Sequence, residues 1–173
     1  LSEAQMLENL ERFQQAVLPA AEEENVRLAL HPDDPPVPSI HGLPRLASSH
    51  AGLRRLLELV PSTHHGLDFC QGTISEMDED VYEAIRYFGG RGQIFYVHFR
   101  NVSAPVPTFV ESFIDDGYVD MARAMRLYGE AGVDVPFIED HVPHLSDDDG
   151  PQHRSRAFAM GYIKALIDAV REG

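Results

Sequence analysis

Apolar residues recur along this chain first at helical spacing, then in short runs, and the two patterns alternate to its end. Met6, Leu7, Leu10, Phe13, Val17 and Leu18 predict an amphipathic helix over residues 1–24, ending near Pro19. Residues 26–30, Val-Arg-Leu-Ala-Leu, read as a strand. A proline-rich loop follows, and Leu53, Leu56, Leu57 and Val60 then predict a helix over 51–59, stopped by Pro61. A second strand is expected over 66–70 and a helix over 78–88, with Gly89, Gly90 and Gly92 marking the turn after it. Residues 93–99, Gln-Ile-Phe-Tyr-Val-His-Phe, form the clearest strand. Met121, Met125 and Leu127 predict a helix over 120–128 that closes near Gly129 or Gly132. A fourth strand over 135–138 and a last helix over 154–170 complete the pattern.

Strands that alternate with helices pair in parallel, because each helix supplies the crossover to the next strand. A doubly wound sheet and part of a (β/α)8 TIM barrel both satisfy this pattern. A whole barrel takes roughly 250 residues, whereas this chain has 173 and only four strand–helix units. Within a barrel, four units make half of one, read here as a single domain over residues 1–173, with two raw sheet edges.

Residues capable of chemistry fall at one equivalent place in each unit. The first strand ends at His31, the second at Cys70, the third at His98 and the fourth at Asp140-His141. In parallel α/β folds the carboxyl ends of the strands open on one face, where ligand-binding and catalytic residues gather. Two imidazoles, a thiolate and a carboxylate would meet there. That set suits a divalent transition metal such as Mn²⁺, Fe²⁺ or Zn²⁺ better than Mg²⁺ or Ca²⁺. Each residue also has an ordinary reading: Cys70 as a small buried hydrophobe, His98 as a hydrogen-bonded core histidine, His31 and Asp140 as polar loop starts. His50, His64 and His65 lie before helices or strands and read as solvated. His41, His144 and His153 sit in loops on the same face. Asp33 and Asp34 read as supporting carboxylates or as turn formers before Pro35-Pro36.

Composition narrows the partners. There are 28 acidic and 14 basic residues, a formal net charge of −14, and Lys164 is the only lysine. Nucleic acids and anionic membrane surfaces need a cationic footprint, so neither is an expected partner. No apolar stretch reaches the roughly 20 residues that cross a bilayer. One cysteine leaves no disulfide framework within the chain and fits a reducing compartment, here the cytoplasm. No secretory signal is expected at the start, and the first residue, Leu1, suggests a processed chain or a fragment.

Several strings together resemble the mannonate dehydratase family. They are His31-Pro32-Asp33-Asp34-Pro35-Pro36, Gly42-Leu43-Pro44-Arg45, Asp68-Phe69-Cys70-Gln71-Gly72-Thr73, Val97-His98-Phe99-Arg100-Asn101-Val102, Phe113-Ile114-Asp115-Asp116-Gly117 and Asp140-His141, in the family's order. The resemblance implies the carboxyl-terminal half of a xylose-isomerase-like TIM barrel. It implies dehydration of D-mannonate to 2-keto-3-deoxy-D-gluconate in glucuronate breakdown, with Mn²⁺ or Fe²⁺. Carried over position by position, His31, Cys70, His98 and Asp140 would be metal ligands and His141 a catalytic acid or base. Arg100 and Asn101 would bind the sugar acid. Half a barrel further implies a homo-oligomer, a dimer or larger. The alternatives are a metal-dependent sugar isomerase or epimerase of the same superfamily, and a non-catalytic metal-binding fragment.

The implied chemistry suits the residues. Removing a proton α to a carboxylate places extra negative charge on that group, which a divalent cation can stabilise. A base takes the C2 proton and an acid protonates the departing C3 hydroxyl. An imidazole can serve in either role. Family members carry a tyrosine in the loop after Asp-His, and between His141 and Tyr162 this chain has none. Glu139 stands where an arginine often precedes Asp-His.

Overall fold

A computed structural model of the chain describes residues 1–148 and 150–172. Its elements, in chain order, are α1 (Glu3–Glu23), β1 (Leu28–Leu30), β2 (Ser39–Ile40), β3 (Leu43–Pro44), α2 (His50–Glu58), β4 (His65–Cys70), α3 (Gln71–Glu76), α4 (Val81–Gly89), β5 (Ile94–His98), α5 (Met121–Glu130), β6 (Phe137–Ile138) and α6 (His153–Glu172). Local chemistry sets several boundaries. Ser2 and Gln5 form a reciprocal capping box at the start of α1. Asp80 accepts from the Tyr82 and Glu83 amides at the start of α4, and Asp120 from the Arg123 amide at the start of α5. Asn25, at φ 52°, turns the chain out of α1 in the left-handed conformation that asparagine tolerates.

Two expectations need correction here. Helix α1 does not end near Pro19 but runs through it to Glu23. Proline removes one helical hydrogen bond, yet Leu18 and Ala21 on either side are buried in the core and hold the last turns in place. His50 and His65 are not solvated, since both are buried. His50 opens α2 with Nδ1 3.3 Å from Glu79 Oε2, and His65 opens β4. Burial pushes both below the ordinary histidine range, although Glu79 pulls His50 back up. The proline-rich loop also contains the small antiparallel pair β2–β3, and α3 follows directly on β4.

The main sheet has the order β1-β4-β5-β6, and every neighbouring pair is parallel. Sequential order separates the two open fold classes. A doubly wound sheet reverses its order at a switch point, whereas a barrel wall adds each strand beside the last. Side chains alternate across the sheet. Leu67 and Phe69 of β4 and Val97 of β5, with Phe99 just after it, are fully buried under the helices. There Phe69 and Phe99 each meet Tyr128 of α5 edge-on. Asp68, Cys70 and His98 point to the other face. On that face Ala29 of β1 is exposed, opposite Gly66 in register. No described helix is long and apolar enough to cross a membrane.

Candidate metal centre and active site

Four strand ends bring four side chains together. His31 follows β1, Cys70 and His98 close β4 and β5, and Asp140 lies two residues past β6. Parallel register aligns Cys70 with His98 and His98 with Ile138, so side chains at these ends meet across the sheet. One ligand-type atom from each of His31, Cys70, His98 and Asp140 lies within 4.8 Å of every other. Asp140 reaches the group from a left-handed backbone, φ 55°, a conformation that costs a non-glycine residue on the order of 1 kcal/mol. Arg156 Nη1 donates to its carbonyl at 3.1 Å.

The surroundings orient the imidazoles. His31 Nδ1 lies 2.7 Å from the Pro32 carbonyl; as the donor there, it leaves Nε2 free toward Cys70. A histidine whose second nitrogen is held in this way is the usual arrangement around a bound metal. His98 lies between two carboxylates, Nε2 3.4 Å from Asp68 Oδ2 and Nδ1 3.4 Å from Asp140 Oδ2. His98 Nδ1 and Asp68 Oδ1 are nonetheless buried atoms with no hydrogen-bond partner. Buried polar atoms are normally satisfied, so an orphaned nitrogen aimed at a thiol and a carboxylate fits a position that a cation would fill.

Electrostatics follow from this crowding. Burial would push the Cys70 thiol up, but His31, His98, Arg100 and Thr73 together bring it down to about 6. At neutral pH it is therefore mostly thiolate, the form that binds metals. Burial opposes a charged His98, yet Asp140 and Cys70 beside it push it up to about 10. Burial also works against an ionised Asp140, but His98, His141 and Arg100 draw it down to about 2. His31 is raised, chiefly by its hydrogen bond with Cys70. Asp68 is raised by burial, with His98 and His31 pulling it the other way.

Beside this group lies a second one, centred on Arg100. Its side chain is 1% exposed. Nη1 donates to Glu76 at 2.9 Å and to Glu111 at 2.7 Å. Nη2 donates to Asp34 at 2.7 Å and to Thr73 at 3.0 Å, and Nε lies 3.5 Å from Asp140 Oδ2. Asn101 is buried too, donating to the Ile114 and Val119 carbonyls and accepting from the Val102 and Val119 amides. The two residues expected to touch the sugar acid thus have their polar atoms engaged within the protein, except Arg100 Nε, which is buried without a hydrogen-bond partner. Four carboxylates crowd one guanidinium. Burial, together with Asp34 and Cys70, pushes Glu76 up to about 7 even though Arg100 pulls it down.

His141 stands at the rim, its side chain 53% exposed, with Nδ1 3.2 Å from Glu111 Oε1 and Nε2 3.8 Å from Asp140 Oδ2. Tyr162 is not part of this rim: it lies in α6, stacked on Phe158 and packed against the core. Of the supporting residues, Asp34 falls in the expected class, bonding both Arg100 and Thr73. Asp33 instead caps the Ala47 amide and pairs with Arg45. Asp68, Glu76 and Glu111 were not singled out from the sequence. Asp68 could have been, because it sits two residues before Cys70 on the same strand face; Glu111 carries no local pattern at all.

A singly wound parallel sheet with a His, Cys, His, Asp group at its carboxyl ends defines a half barrel of the xylose-isomerase-like α/β kind. A xylose isomerase domain protein from Alicyclobacillus acidocaldarius shares that fold, with a TM-score of 0.76 over all of this chain and 61% of its own at 17% identity. The sequence profile of the family D-mannonate dehydratase (UxuA) matches residues 1–173, and the chain belongs to that family. Mannonate dehydratase 2 of Halalkalibacterium halodurans is 36% identical over 177 residues, 98% of this chain and 51% of the relative. The Enterococcus faecalis mannonate dehydratase is 35% identical over 99% of this chain and 49% of the relative. The crystal structure of mannonate dehydratase from Streptococcus suis serotype 2 superposes with a TM-score of 0.92 at 32% identity, over 99% of this chain and 51% of that one. The chain therefore spans about half the length of the relatives it matches.

Proposed function

We propose that this chain carries the metal centre of a mannonate dehydratase, holding Mn²⁺ or Fe²⁺ through His31, Cys70, His98 and Asp140, and acts on D-mannonate in the cytoplasm. The convergence of four ligand-type atoms within 4.8 Å carries the reading. The donor set supports it, because thiolate and imidazole favour a transition metal over Mg²⁺ or Ca²⁺. The charge balance supports it as well: Asp34, Glu76, Glu111 and Asp140 surround one guanidinium. A divalent cation offsets that surplus and, when bound, stabilises the negative charge that develops on the substrate carboxylate as its α proton leaves.

The chain's own residues supply the rest. His141, exposed beside Asp140, is placed to move a proton at Nε2. As a base it takes the C2 proton; as an acid it protonates the C3 hydroxyl, which departs as water. The resulting enol becomes 2-keto-3-deoxy-D-gluconate by tautomerisation. Arg100 acts indirectly, by fixing the carboxylates around it. Asp68 and the Pro32 carbonyl orient His98 and His31.

The test is a chain loaded with Mn²⁺ or Fe²⁺ and given D-mannonate. Accumulation of 2-keto-3-deoxy acid is expected, lost in His141→Ala at unchanged metal content. Full metal occupancy without product would reject dehydration by this chain, and failure to retain either metal would reject the ligand set.

A further inference from the structure

We propose that Glu111 is the positioning residue of His141: it accepts a hydrogen bond from Nδ1–H and so fixes the imidazole as that tautomer, with the Nε2 lone pair turned toward Asp140. The orientation stands on geometry alone; its use in proton transfer rests on the proposed dehydratase function.

The backbone of Glu111 is fixed before its side chain is considered. The loop that leaves β5 doubles back, and Val102 and Glu111 form an antiparallel bridge. The Ser103 amide donates to the Val110 carbonyl at 3.0 Å, and the Ser112 amide to the Asn101 carbonyl at 3.1 Å. The carboxylate is then fixed by Arg100, which donates to Oε1 at 2.7 Å. Arg100 is itself held, because Glu76, Asp34 and Thr73 accept from its two Nη groups in a buried setting. This gives a rigid acceptor at the rim, and His141 Nδ1 meets the same oxygen at 3.2 Å.

His141 needs such a partner. Its side chain is about half exposed, so packing does not restrain its ring. Nε2 lies 3.8 Å from Asp140 Oδ2, beyond hydrogen-bond range. Glu111 is the one side chain among the described residues that hydrogen-bonds the ring. Which nitrogen of a neutral imidazole keeps its proton is set by the hydrogen bond the other makes. With Nδ1–H directed to a carboxylate, Nε2 is the nitrogen left to accept a proton, and an imidazolium formed there stays paired with Glu111. The same logic governs carboxylate–histidine pairs in unrelated active sites. Arg100 completes the device: by donating to the same oxygen it fixes where that acceptor sits.

Nitrogen-15 NMR of the chain loaded with diamagnetic Zn²⁺, at a pH where His141 is neutral, reads the tautomer directly. The wild-type protein is expected to show His141 overwhelmingly as Nδ1–H. Glu111→Ala shifts it to the mixture of an unrestrained histidine peptide. Glu111→Gln, whose carbonyl oxygen still accepts from both Arg100 and His141, restores most of the Nδ1–H form. Mn²⁺ affinity stays within about twofold in both variants, since neither removes a ligand. On D-mannonate, Glu111→Ala lowers kcat by about 10- to 100-fold, the range for losing a carboxylate partner of a histidine near a metal. KM changes little, the mark of a group that acts in the transition state. A wild-type His141 that is mainly Nε2–H, or a ring whose tautomer ignores Glu111→Ala, overturns the proposal. So does a fall in metal affinity that matches the fall in kcat. If the wild-type protein turns over no mannonate, the dehydratase reading fails while the NMR result still decides the role of Glu111.

Discussion

Two polar groups lie side by side at the carboxyl ends of the strands and share one oxygen, Asp140 Oδ2, which lies 3.4 Å from His98 and 3.5 Å from Arg100. They are built on opposite rules. Around Arg100 four of the five contacts are hydrogen bonds of 3.0 Å or less, closed within the protein. Around Cys70 the ligand-type atoms face one another at distances up to 4.8 Å, with His98 Nδ1 left unpartnered. The first group is tied by these short bonds, although Arg100 Nε, Glu76 Oε2 and Glu111 Oε2 are buried without a partner; the second has none so short among its four ligand-type residues. Burial alone does not tell them apart, because Cys70 and Arg100 are both almost wholly buried. Distance does: bonds of 3.0 Å or less hold the first, while the ligand-type atoms of the second spread over up to 4.8 Å.

Removing the brace should have the largest effect. Arg100→Ala leaves Glu76 and its neighbours buried without their cation, and should cost about 3–5 kcal/mol of stability. Thermal unfolding should show it as a Tm lower by roughly 10 °C. A Tm within a degree of wild type would mean that the group braces nothing.

Next comes the metal-type group. Cys70→Ser removes the thiolate and should weaken Mn²⁺ binding by at least about 100-fold, the upper range for losing even an outer partner of a ligand. The metal-free protein should keep its Tm. Titration followed by calorimetry checks the first point, and a scan without metal the second. Unchanged affinity would make Cys70 a core residue, of the same kind as Phe69 beside it.

Smaller effects appear in pH dependence. His98 is held protonated up to about 10 by Asp140 and Cys70 against the cost of burial, so a cation must displace its proton at neutral pH. Affinity for Mn²⁺ should therefore rise with pH between 7 and 9, by about tenfold per unit for one proton released. Calorimetry in buffers of different ionisation enthalpy counts that proton, and a pH-independent affinity would remove His98 from the ligand set.

The smallest effect belongs to the braced group. Burial raises Glu76 from its ordinary value to about 7, against the pull of Arg100. A carboxyl raised in the folded state favours folding below its unfolded pKa, near 4.5, and that contribution is lost as pH rises through about 7. Glu76→Gln should remove this loss, so its Tm relative to wild type should be higher at pH 8 than at pH 5.5. A constant difference across that range would show that Glu76 does not titrate there.

What could be read before folding and what could not divide along the same line. Strand ends are local features: apolar runs stop where His31, Cys70, His98 and Asp140 begin, and parallel register then sets them side by side. The partners of Arg100 and Asn101 lay outside that reasoning. They follow His98 by two and three residues, and their side chains bond partners 11 to 66 residues away that no local pattern names. Glu111 had no signal because its role depends on a loop folding back onto Val102, which no periodicity encodes.

The sequence by itself determined the four strand–helix units, their parallel pairing and the four chemical groups at the carboxyl ends, because hydrophobic spacing is a property of neighbouring residues; β2, β3 and α3 were not among them. Tertiary structure alone decided that α1 runs through Pro19, that His50 and His65 are buried, and that Arg100 gathers Asp34, Glu76 and Glu111 beside the four metal-type residues. Those outcomes turn on burial and on pairing between distant charges, and both are settled only when the loops close over the sheet.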